Sequence, residues 1–239
     1  MALCARRAHA AAVSRFFPRR SAIRGICLLT AAILDGCGGG PPQPDWKLEA
    51  RASLEAYQRH LLRGEGRAAE VEWRRALLAL SATGQPVEVA RANLVRCGLA
   101  AASADVTACP GPLQDEAELT AAEGAYARLV TGRLAPGEAR ALPERYRAVA
   151  QAPDPAMRVR ALSSMGDPLS RLVAAGALLR AGLLPRQGVD LAVDTASAEG
   201  MRRPLAAWLG LQARAADEAG DPVAAARARR RLDLVAPAR

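Results

Sequence analysis

"DWKLEARASLEAYQRHLLRGEGRAAEVEWRRALLALS", residues 45–81, decides the fold class. Ala50, Leu54, Tyr57 and Leu61 recur at the spacing of one helix face, and beyond Gly64 a second run does the same with Ala69, Trp73, Ala76 and Leu80. Two amphipathic segments joined by a glycine-containing turn predict a helix hairpin over about 46–63 and 66–81. The composition agrees: 51% of the 239 residues are hydrophobic but only 3% are aromatic, so the apolar content is mostly Ala, Leu and Val. Alternating runs of Val, Ile, Thr and Tyr, the pattern of strands, are nearly lacking in the sequence. An all-α fold follows.

The same reading continues to the end of the chain. Further helices are expected near 86–102, 114–131, 138–151, 156–165, 168–181, 187–198, 201–219 and 222–235, broken by Gly and Pro. Asp154-Pro155, Asp167-Pro168 and Asp221-Pro222 each put an acidic cap before a proline suited to the first helical turn. "LVAAGALL", Leu172 to Leu179, is apolar all round and should form a central buried helix. Trp208 is expected between the last helices.

Ahead of the first hairpin the sequence changes character. A region with six arginines up to Arg24 precedes the apolar run "GICLLTAAIL", Gly25 to Leu34. Ten residues are too few to cross a bilayer, which needs roughly 20, but they match the core of an export signal at ~7–15. Leu34-Asp35-Gly36-Cys37 then resembles the lipobox of bacterial lipoproteins: a Leu, two mostly small residues and the cysteine that becomes the new N-terminus. Asp35 departs from that pattern; the Leu, Gly and Cys do not. The resemblance implies a diacylglyceryl group on the Cys37 thiol, cleavage after Gly36, and, with Gly38 in the following position, delivery to the periplasmic face of the outer membrane. "GGGPPQP", Gly38 to Pro44, reads as a tether, flexible and then stiff. The expected organisation is a signal peptide over 1–36, a tether over 37–45 and a helical domain over 46–239. The export route stays open, since Arg19-Arg20 also has the look of a twin-arginine signal.

The net charge of +9 raises nucleic acid as a partner. However, the first 36 residues hold six of the 33 basic residues and one of the 24 acidic ones, which leaves 27 against 23, a net of +4 spread along helices. No nucleic-acid partner is expected. An oxidising compartment favours pairing Cys97, on the apolar stripe Ala90, Leu94, Cys97 and Ala101, with Cys109 in the following loop; two buried free thiols are the alternative.

Two stretches resemble the tetratricopeptide repeat. In the first hairpin Gly64, Ala69, Trp73 and Ala76 reproduce its turn glycine and its A-x3-aromatic-x2-A run. Near the C-terminus Gly220, Ala225 and Pro237 fall at the family spacing. The resemblance implies antiparallel hairpins stacked as a repeat-like array; the irregular spacing between the two stretches keeps an irregular helical bundle open.

Residues with chemistry to offer are few. The segment after Cys37 has one histidine, His60, read as a helix-flank residue. Glu116, Glu118 and Glu123 could serve glycan hydrolysis, but acids in a first helical turn also suit the helix dipole. Arg227, Arg230 and Arg231 make a basic face suited to a helix end, or to anionic lipid or glycan. The sequence holds no metal-ligand cluster, phosphate loop or nucleophile elbow, so no cofactor is expected beyond the lipid on Cys37. The expectation is a non-enzymatic envelope lipoprotein that holds the membrane through its anchor and offers a helical groove to a protein or peptide partner. An envelope enzyme acting on peptidoglycan or lipid is the alternative.

Overall fold

The computed structural model describes residues 44–107, 109 and 118–235. Cys37, the signal region and the tether up to residue 43 lie outside them. The described residues are mostly helical, without a strand among them: α1 (Asp45–Leu62), α2 (Gly66–Ser81), α3 (Pro86–Ala102), α4 (Ala121–Val130), α5 (Glu144–Gln151), α6 (Pro155–Ser163), α7 (Pro168–Arg180), α8 (Arg186–Ala198), α9 (Arg202–Glu218) and α10 (Pro222–Val235). Helix α1 starts at Asp45, inside the expected tether, because Pro44 fixes a φ of −55° ahead of it.

Two expected helices are shorter than the periodicity suggests. The helix expected over 114–131 begins at Ala121, because the Thr120 hydroxyl accepts from Glu123 N–H while the Glu123 carboxylate accepts from Thr120 N–H. That reciprocal cap leaves Glu118 ahead of the helix, and Glu116 lies outside the described residues. The helix expected over 138–151 is a 3-10 turn, Glu138–Arg140, followed by α5, with Pro143 between them. Proline lacks the N–H that would continue the ladder and clashes with the preceding turn, so it can only open the second helix. At the acid–proline pairs the expectation holds: Asp154 and Asp167 accept from Met157 N–H and Ser170 N–H, both at 2.8 Å.

Helices α1 and α2 form one hairpin and α9 and α10 another, closed at Gly64 and Gly220, whose φ values of +80° and +69° suit glycine. Between them the core is built on α3 and α7. From Leu172 to Leu178 every residue of α7 is buried, and α7 crosses α3 with Gly176 against the backbone of Ala101. A Cβ at position 176 would stand 1.8 Å from the Ala101 carbonyl oxygen, so only glycine permits the approach. Ala90, Leu94, Cys97 and Ala101 of α3 are all buried. Trp208 of α9 is fully buried and its indole Nε1–H donates to Ala102 O at 2.9 Å. It therefore joins the last helices to the end of α3 rather than only to each other. Helix α9 also packs on α1, which brings the two terminal hairpins side by side.

Half-buried arginines stitch the loops to this core. Arg171 donates to Leu162 O at 3.1 Å, to Met165 O at 2.5 Å and to Thr195 Oγ1 at 3.1 Å. Arg180 donates to Val130 O at 3.0 Å and to Asp105 O. Burial draws the Arg180 pKa down, partly offset by the negative charge of Asp105. Each guanidinium thus ties together carbonyls at and just beyond the ends of neighbouring helices.

Candidate functional site

A cleft of about 170 Å³ opens where α1, α2, α3 and α9 meet. Its walls carry Tyr57, Glu70, Arg96, Asp105 and Arg203, and its apolar lining includes Leu61, Ala69 and Ala100. Packing fixes Tyr57 and Arg96. The rings of Tyr57 and Trp73 lie 5.2 Å apart, and the Arg96 guanidinium sits 4.9 Å above the Trp73 ring in a cation–π contact. Tyr57, Trp73 and Arg96 thus form a stack reaching from α1 across α2 to α3. Tyr57 is almost wholly buried; burial pushes its pKa up, while the cations Arg96 and Arg203 pull it down. The net rise keeps the hydroxyl protonated, able to donate a hydrogen bond across the ordinary pH range.

Asp105 reaches the cleft through an unusual turn. Asp105 N–H donates to Ala100 O at 3.0 Å and Ala104 N–H to Ala101 O at 2.9 Å, the pairing that ends a helix on a left-handed residue. At the ends of α1, α7 and α9 the left-handed residue is Gly64, Gly182 or Gly220; after α3 it is Ala104, with φ +51°. A Cβ in that region costs about 1 kcal/mol, and strain of this sort persists only where the surroundings over-determine it. Here they do. Arg180 grips Asp105 O, and Thr107 donates to Asp105 Oδ1 from its N–H at 3.1 Å and its hydroxyl at 2.9 Å. The other carboxylate oxygen of Asp105 faces Arg203 at 4.0 Å. Across the cleft Arg96 faces Glu70 at 3.7 Å. Both pairs are attractive, and both are longer than a hydrogen bond.

A second concavity, about 500 Å³, lies between α1 and α3. Its floor is apolar, with Trp46, Ala50, Leu54, Leu80 and Val95, and Lys47, Arg51, Glu55, Glu88 and Arg91 stand around it.

The residues singled out from sequence take other places. The Cys97 and Cys109 sulfurs stand at bonding distance with their Cα atoms 4.7 Å apart, Cys97 fully buried on α3. Nδ1 of His60 lies 2.5 Å from the Glu65 carboxylate at the α1–α2 turn, outside the cleft lining. Glu123 is held by its cap and by Arg91 Nε at 2.8 Å. Its pKa is drawn down, first by the Thr120 backbone N–H and then by Arg91, which keeps it ionised. Arg227 and Arg230 are exposed on α10, with Arg231 half-buried. Of the cleft residues the sequence marks only Tyr57, Leu61 and Ala69, as face residues; the charged ones, Glu70, Arg96, Asp105 and Arg203, are scattered along the chain and share no local pattern.

Among the described residues no group of three or more His, Cys, Asp or Glu is placed to hold a metal ion, and no helix is long and apolar enough to cross a membrane. Comparison with protein-family models, with curated proteins and with solved structures finds no match for the chain.

Proposed function

We propose that this chain is an exported lipoprotein, anchored through Cys37, whose helical body is a protein-interaction module at the cell envelope, on the periplasmic face of the outer membrane. The observation that carries the anchor is the order of the sequence itself: a basic region, a ten-residue apolar core, Leu34-Asp35-Gly36-Cys37 and a Gly/Pro tether, leading into a helix that starts at Asp45. Acyl chains on such a cysteine add ~0.8 kcal/mol per buried methylene, so two or more chains make release negligible. The tether would hold the body off the membrane surface.

The tetratricopeptide-like reading of the terminal hairpins belongs to this proposal. It is supported by the buried Ala69, Trp73 and Ala76 of α2 and the buried Ala225 of α10. The interaction reading is supported by the apolar floor between α1 and α3, a shape suited to an amphipathic helix of a partner protein.

The test is fractionation and intact mass of the wild type and Cys37→Ser. The wild type should sediment with membranes at the mass of a chain starting at Cys37 plus lipid. The serine variant, whose hydroxyl cannot replace the thiol, should retain its signal or appear in the soluble fraction. An unmodified Cys37 in the wild-type mass would overturn the anchor.

A further inference from the structure

We propose that the outer face of α10 is a membrane-contact surface that lies on anionic phospholipid, with Arg227 and Arg230 against headgroup phosphates and Val223 and Leu234 in the apolar edge of the interface. Helix α10 packs chiefly on α9 and buries Ala225 and Ala228. On its other side Val223, Arg227, Arg230 and Leu234 recur at i, i+4, i+7 and i+11, which places them within about 60° of one another along a stripe of about 16 Å. All four are exposed. Val223 at 65% and Leu234 at 83% are among the most exposed large apolar side chains of the described residues. The one acid of α10, Asp233, falls about 60° outside the stripe.

Two explanations internal to the fold fail for the arginines. Cations favour a helix C-terminus only in its last turn, and the last turn of α10 holds none. Arg229, beside them, is tied to Asp217, but among the described residues neither Arg227 nor Arg230 has an ion-pair partner. The pattern itself selects the partner. A protein interface has an apolar, aromatic-rich centre and a charged rim. Here the charges are the centre, two aliphatic side chains are the ends, and the helix carries no aromatic residue. That order suits a lipid surface, where guanidinium groups on long stems meet phosphate oxygens and aliphatic groups dip below them. The contact does not depend on the proposed lipid at Cys37 and stands or falls apart from it.

The experiment is partitioning of the full chain carrying Cys37→Ser, which has no thiol to acylate, onto vesicles of phosphatidylcholine mixed with phosphatidylglycerol. Each arginine at an anionic surface adds about fivefold to partitioning, so Arg227→Gln with Arg230→Gln should weaken binding about 25-fold. The control is Arg67→Gln with Arg74→Gln, two exposed arginines of α2 whose loss changes the net charge equally. Salt screens charges that do not touch the surface, so the control should keep its binding within about twofold. The six arginines up to Arg24 add the same background to every variant, and the comparison between pairs therefore reads α10 alone. Val223→Ser with Leu234→Ser should also weaken binding while the melting curve stays put, since both side chains are exposed. Equal losses in the two arginine pairs would overturn the inference by reducing it to net charge, and so would no loss from the α10 pair. Heparin bound through Arg227 and Arg230, with vesicle binding unchanged by their loss, would overturn it in favour of an anionic glycan.

Discussion

Replacing one hydrogen of Gly176 by a methyl group tests the central crossing of the fold. The Cβ of Gly176→Ala would sit 1.8 Å from Ala101 O, 2.4 Å from Ala101 C and 2.9 Å from its Cα. All three are backbone atoms in the last turn of α3, so no side chain can swing aside. Restoring an ordinary carbon–oxygen contact of about 3.3 Å requires α3 and α7 to part by about 1.5 Å, and the buried faces on both sides lose contact together. Over-packing ordinarily costs about 1–3 kcal/mol, and a rigid backbone neighbour puts this case at or above the upper end. Alanine returns about 1 kcal/mol of helix propensity. The expected net is a loss of about 2–3 kcal/mol, a large share of a domain's stability of about 5–15 kcal/mol. Gly210→Ala in α9 is the control. There a Cβ meets nothing nearer than the Arg214 guanidinium at 3.9 Å, so the same substitution should stabilise by up to about 1 kcal/mol. Urea unfolding of the two variants beside the wild type gives both signs. A Gly176→Ala protein as stable as the wild type would refute the crossing.

Trp208→Ala empties a fully buried site and leaves the Ala102 carbonyl without its donor, so it should cost about 3–5 kcal/mol; an unchanged melting temperature would take Trp208 out of the core. Cys97 and Cys109 should resist thiol labelling in denatured, unreduced protein from an oxidising compartment, and reduction should cost roughly 2–4 kcal/mol; two reactive thiols would refute the bridge. The depressed pKa of Glu123 gives stability that is present above its unfolded value of about 4.3 and lost as pH falls through the folded value. The stability gap between wild type and Glu123→Gln should therefore be full near neutrality and shrink below about pH 4, as unfolding midpoints across a pH series would reveal; a gap that does not vary with pH would refute this.

Much of the fold was legible because helix periodicity and capping are local. The Ala90–Leu94–Cys97–Ala101 stripe and the Leu172–Leu178 run are buried where their spacing put them. The misses are local too: Pro143 breaks a stretch whose apolar rhythm runs on, and the Thr120–Glu123 box sets a start that acidic residues upstream obscured. What could not be read is tertiary. Nothing near Trp208 in the chain names Ala102 as its acceptor, 106 positions away. The cleft has the same origin, since Arg96 and Arg203 meet only after α9 has packed on α1. Cys37 is the opposite case: its proposed lipid attachment rests wholly on the residues beside it.

The bond from Trp208 to Ala102 also sets a timetable. A chain emerging from its N-terminus completes α1 to α3 when less than half of its length is available, yet the end of α3 lacks its indole partner until α9 has followed. Contacts of such long separation must wait for loop closure and slow the final collapse. Helices α1 to α3 can bury their own shared cluster early, but the end of α3 closes over only when α9, within the last fifth of the chain, arrives.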